Sequence, residues 1–189
     1  MEKKKIKFRS VNVYAFMVML VVLLLLPFIG LSSYMIRTIT MIFYYATLGI
    51  GVNIISGYAG QLSIGHSAFF GLAAYSTAIL LKNYGFTPWI GGLLGVFLAI
   101  LGALFIGFIV LRLRGPYFTL STIAIAGILE IIAHHWRSLT GGAEGIIIPF
   151  RGESSILKFQ FMSNRPYYYA ILVLMLIGLY ITYRIVNSK

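Results

Sequence analysis

Between residues 53 and 75 the chain reads Asn53-Ile-Ile-Ser-Gly-Tyr-Ala-Gly-Gln-Leu-Ser-Ile-Gly-His-Ser-Ala-Phe-Phe-Gly-Leu-Ala-Ala-Tyr75. The polar side chains of Asn53, Ser56, Gln61, Ser63, His66 and Ser67, all able to hydrogen-bond, are interleaved there with Gly57, Gly60, Gly65 and Gly71. The stretch lacks the charge, Asn-Gly or Pro of an ordinary surface turn. Its glycines permit unwinding and close backbone approach. Non-helical backbone at membrane depth is tolerated only inside protein or beside a water-filled cavity. Interrupted helices of this kind hold solutes in transporters, with helix N-terminal amides for carboxylates and free carbonyls for cations. The competing reading is a plain helix crossing of Gly and Ser, with His66 satisfied by a neighbouring carbonyl. The segment is no phosphate loop, because no Gly-Lys-Ser/Thr follows the glycines.

The other chemically capable residues are few. Glu130 is the one acid inside an apolar run, about one turn from its end, and an intramembrane carboxylate is a functional hypothesis by default. A structural pairing with Arg137 competes with a place on a solute path. His134 and His135 are adjacent and diverge around a helix, which argues against a shared metal. Ser155-Ile-Leu-Lys158 has the Ser-x-x-Lys spacing of a nucleophile and base but none of the companion motifs. With no cysteine, three His and four acids, disulfides and thiolate sites are excluded, and neither a metal, nor a cofactor, nor an enzyme is expected.

The elements that position these residues are apolar. Of 189 residues 60% are hydrophobic and 10% charged, against roughly 25% charged in a soluble domain. Six stretches approach the roughly 20 residues needed to cross a bilayer as helix. They are Val13–Leu31, Met35–Ile55, Leu62–Leu81, Trp89–Leu111, Pro116–Ala133 and Tyr167–Ile185. The expected fold is an all-α polytopic membrane helix bundle of about six spans, with a broken helix around 56–67 that is either re-entrant or a boundary. A basic cytoplasmic N-terminus (1–12) would precede a single transmembrane domain (13–189) with an outer loop at 134–166.

The net charge of +11 would suggest nucleic acid in a polar chain, but these cations flank apolar runs, so lipid is the expected partner and nucleic acid is not. Lys3, Lys4, Lys5, Lys7 and Arg9 precede the first run, which is too long for a signal peptide and lacks its cleavage pattern. With the N-terminus inside, nine Lys and Arg fall on the cytoplasmic side and six outside. The positive-inside rule therefore predicts both termini in the cytoplasm. Tyr84, Trp89, Trp136 and Tyr167 to Tyr169 fall at the predicted outer boundaries, where aromatic rings anchor in the headgroup layer. Pro116 opens a helix after an inner turn at Leu111–Gly115, and Leu139–Gly145 reads as a flexible glycine-rich connector. Gly91, Gly95, Ala99, Ala103 and Gly107 recur every fourth residue and predict a smooth seam for close helix packing.

The Asn53–Tyr75 stretch closely resembles the signature of branched-chain amino acid ABC transporter permeases of the LivM type. Leu111-Arg-Leu-Arg-Gly-Pro-Tyr-Phe118 and Leu139-Thr-Gly-Gly-Ala-Glu-Gly145 recur in that family in the same order and at similar spacing. The resemblance runs from about residue 40 onward. It implies an inner-membrane permease paired with a second, LivH-like permease, driven by two cytosolic ABC ATPase subunits and supplied by an extracytoplasmic amino-acid-binding protein. It places Asn53, Ser56, Gln61, Ser63, His66 and Ser67 near the translocation path, and gives neither Glu130 nor His66 a defined role. Related permeases carry urea or other small solutes, and a non-transporting scaffold, a permease remnant, is the reading from another class. Family members continue into a coupling loop and further spans where this chain reads Arg184-Ile-Val-Asn-Ser-Lys189. The expectation is a truncated or split permease that cannot by itself couple ATP hydrolysis to uptake.

Overall fold

The computed structural model describes residues 10–58, 60–149 and 154–188. The basic cluster from Lys3 to Arg9, and also Ala59, Arg151, Glu153 and Lys189, lie outside the described residues. Among the described residues the fold is all α-helical, with one isolated antiparallel bridge between Ser155 and Gln160. The chain divides into two compact units. One joins Met1–Ile54 to Ser163–Lys189, and the other is the continuous stretch Ile55–Met162.

The first unit contains α1 (Ser10–Leu25), α2 (Ser33–Asn53) and α7 (Arg165–Asn187). Ser32 caps α2 by accepting the Met35 N–H at 3.3 Å, the side-chain capping expected of serine at that position. Ile36 and Phe43 of α2 pack on Tyr168 and Leu172 of α7, with the Phe43 and Tyr168 rings 5.4 Å apart. The first span was expected to reach Leu31, but α1 gives way at Leu26–Phe28 to a 3-10 turn containing Pro27. Proline has no N–H, so the Leu23 carbonyl loses its helical donor. The Tyr168 hydroxyl donates to that carbonyl at 2.7 Å, and Tyr169 donates to Leu24 O at 2.9 Å. Tyr168, expected in an interfacial belt, is instead fully buried. It joins α7 to the end of α1.

The second unit contains α3 (His66–Tyr84), α4 (Pro88–Val110), α5 (Pro116–His135) and the short α6 (Arg137–Thr140). Prolines open α4 and α5 at the first helical turn, where a missing N–H costs nothing. α3 and α4 form a close pair. A Cβ added at Gly95 would lie 2.6 Å from Ala73 O, and one at Gly91 would lie 3.2 Å from the Thr77 methyl. Farther along, the neighbour of α3 is Gly102, opposite Leu72, whereas Ala103 is exposed and Gly107 has only Leu111 nearby. With 3.6 residues per turn, each four-residue step rotates about 40°, so a row from Gly91 to Gly107 winds about 160° around the helix. One helix cannot follow such a row throughout.

Leu139–Gly145 is an ordered turn rather than an open connector. Thr140 is buried, and its hydroxyl lies 2.5 Å from Ala133 O and 2.7 Å from Trp136 O. It also accepts the Gly142 N–H at 3.3 Å. Beyond it, the Trp89 indole N–H donates to Ile156 O at 2.9 Å, with the ring edge-on to Phe159. That bond ties the Ser155–Gln160 hairpin to the start of α4.

Among the described residues, four helical stretches are long and apolar enough to cross a membrane: Ser33–Tyr58, Pro88–Val110, Pro116–His135 and Arg165–Asn187. α1 is shorter, at 16 residues. α3 has 19 residues but carries Ser67, Ser76, Thr77, Lys82 and Asn83, which lower its apolarity. Large side chains such as Leu93, Phe97, Leu104, Phe105 and Phe108 on α4 are exposed. Apolar surface on this scale requires lipid or a protein partner around it.

Candidate functional site

α2 ends at Asn53 and the chain continues as a π-helical turn over Ile54–Tyr58. Such turns are rare and recur at functional sites. From Gly60 to Ile64 the backbone is not helical, and α3 starts at His66 rather than at the expected Leu62. The reason lies on α5. The Thr119 hydroxyl donates to Leu62 O at 2.7 Å, and the Ile64 N–H donates to Thr122 Oγ1 at 3.3 Å. These bonds satisfy backbone groups that a helix would have used internally. Gly65 passes so near α5 that an added Cβ would lie 2.5 Å from Thr122 O. A side chain larger than hydrogen would therefore push this strand of backbone off the helix.

The broken segment carries most of the expected path residues. Asn53 is exposed at the end of α2, in the first unit, while Gln61 is half-buried and Ser63 is buried in the second. Ser56 Oγ and both ring nitrogens of His66 are shielded from solvent and have no hydrogen-bond partner among the described residues. The expected alternative, in which a neighbouring carbonyl satisfies His66, is not what the structure has. An unsatisfied buried polar atom costs about 1–3 kcal/mol. A donor or acceptor brought to this segment by water or a solute therefore meets groups that gain from it.

Ser67 and Glu130 line one groove. It has a volume of about 550 Å³ and lies between α3, α5 and α6, with Ser67, Gly71 and Tyr75 on one wall and Ala126, Glu130 and His134 on the other. Leu72, Ile79 and Leu129 make it largely apolar, and Trp136, Leu139 and Thr140 line it as well. Glu130 forms no ion pair with Arg137. His135 turns away, its Nδ1 lying 2.9 Å from Ile131 O, so the two adjacent histidines do diverge. Among the described residues no group of three or more His, Cys, Asp or Glu side chains could hold a metal.

Sequence reasoning passed over Thr119 and Thr122, which dock the broken segment; it weighed His134 only as a metal ligand and gave Tyr75 no role of its own in the groove. The Thr119-x-x-Thr122 spacing, three residues apart on a helix opening just after an inner turn, was the available signal.

Several long apolar helices, one of them interrupted by glycine and docked on a neighbour through its backbone, define a multi-pass membrane protein. The family described as branched-chain amino acid transport system / permease component matches residues 34–186, and the chain belongs to that family. It is 35% identical over 131 residues to the high-affinity branched-chain amino acid transport system permease protein LivM of Salmonella typhimurium, a match covering 69% of this chain and 30% of that relative. It is 36% identical over 111 residues to the protein of the same name from Escherichia coli, covering 59% of this chain and 26% of the relative. The chain thus spans less than a third of the length of these curated relatives. No solved structure matches it.

Proposed function

We propose that this chain is a membrane permease subunit of an ABC importer for branched-chain amino acids and forms part of the translocation path. Family membership carries the reading, and the docked, glycine-broken segment with its unpartnered His66 and Ser56 supports it. In this reading the chain crosses the cytoplasmic membrane six times with both termini inside. A LivH-like second permease completes the path, two cytosolic ABC ATPase subunits drive it, and an extracytoplasmic amino-acid-binding protein delivers the solute.

No covalent chemistry is asked of this chain. Alternating access needs a site that offers polar contacts to a solute leaving water and releases it on the other side. Asn53, Ser56, Gln61, Ser63, His66 and Ser67 supply those contacts along the path. The test is ATP-dependent uptake by proteoliposomes that hold this chain with the other subunits of its transport system. Leucine, isoleucine or valine should accumulate, and omission of this chain should abolish accumulation. Uptake indifferent to the chain, or uptake of urea in place of the amino acids, would overturn the proposal.

A further inference from the structure

We infer that the groove between α3, α5 and α6 is a solute site in which Glu130 receives the α-ammonium group of an aliphatic amino acid. The inference deepens the transport reading and rests on it.

Charge comes first. Glu130 is an acid in a chain of net charge +11, and among the described residues it has no ion-pair partner. It lies near the C-terminal end of α5, where the helix dipole presents partial negative charge and favours a cation. Ala133 O, one of the carbonyls at that end, is already taken by Thr140. A carboxylate and a helix C-terminus on one wall make the groove favour a positive group of small size.

Shape comes second. Ser67, Gly71 and Tyr75 recur at four-residue intervals on α3, as do Ala126, Glu130 and His134 on α5, so two facing rows line the space. Gly71 and Ala126 leave it open, and Leu72, Ile79 and Leu129 offer aliphatic walls. A volume of about 550 Å³ falls within the range of small-molecule sites. Tyr75 and His134 line the same space, and a phenol and an imidazole are side chains able to donate to a carboxylate. An ammonium, a carboxylate and a branched hydrocarbon chain together make a zwitterionic aliphatic amino acid. Urea or an aliphatic acid would leave Glu130 without a cation.

The absence of cysteine permits a clean test on the assembled transporter in proteoliposomes. Ala126→Cys places a thiol on the groove wall with little change of volume, and its alkylation by a small water-soluble maleimide is timed. L-leucine should slow labelling, while 4-methylpentanoate, the same skeleton without the ammonium, should not. Adding Glu130→Gln should abolish protection by leucine without slowing labelling, and should lower leucine uptake about tenfold or more, the scale of a lost hydrogen bond to a charged group. Glu130→Asp should keep much of both. Equal protection by the two compounds, unchanged protection in Glu130→Gln, or a thiol that no reagent reaches in any state of the transporter would each overturn the inference. If the wild-type transporter carries a different ammonium-bearing solute, the substrate reading fails. The protection experiment run with that solute and its ammonium-free analogue then still judges Glu130.

Discussion

Pro27 and Tyr168 pose one question from opposite ends of the chain. The proline removes a donor from the last turn of α1, and the tyrosine brings one back. Tyr168→Phe should destabilise the protein by about 0.6–1.7 kcal/mol, the range for hydrogen bonds between membrane helices. Pro27→Ala restores an N–H that can reach Leu23 O, so the cost of Tyr168→Phe should shrink in that background. Unfolding in detergent of the two single variants and the double variant measures the coupling, and strict additivity would refute this account. The pair was not legible beforehand. An aromatic cluster at the edge of an apolar run reads as an interfacial belt, and Tyr168 and Tyr169 are set apart by hydroxyl bonds to carbonyls 145 residues away. Glu130 was legible because a lone acid among apolar residues stands out, whereas Thr119 and Thr122 blend into a span that tolerates hydroxyls.

At the level of the helix, composition located the long elements to within a few residues except at the end of α1, where Pro27 intervenes, and at the start of α3, where bonds between elements decided the boundary. The fourth, fifth and sixth predicted spans correspond to α4, α5 and α7 with small shifts. The third was placed four residues too early, since the backbone of Leu62 and Ile64 bonds to α5 instead of joining a helix. Glycine content disclosed that a break existed, but the partner that holds it open is not encoded nearby. The packing of α3 on α4 predicts a sharp contrast between two glycines. Gly95→Leu, forced against Ala73 O, should cost about 1–3 kcal/mol through overpacking. Gly92→Leu, with nothing near an added Cβ, should leave thermal stability in detergent close to wild type. Equal loss in both variants would dissociate α3–α4 packing from the small-residue row.

For the molecule as a whole, the distribution of Lys and Arg and the tethered hairpin make orientation testable. In this cysteine-free chain, Leu157→Cys at the exposed hairpin should react with an impermeant maleimide added to intact cells. Ser188→Cys should react only after the membrane is opened, and the reverse pattern would invert the proposed topology. The partition into two units carries a consequence for synthesis. The second unit is a continuous stretch of chain, but the first is built from both ends of the sequence around it. Leu23 and Tyr168 are 145 residues apart, which at about 5–20 residues per second separates their emergence from the ribosome by about 7–30 s. α1 thus emerges well before the helix that carries its hydrogen-bond partner. Until α7 emerges, the Leu23 carbonyl that Pro27 deprives of a helical donor lacks the Tyr168 hydroxyl as well.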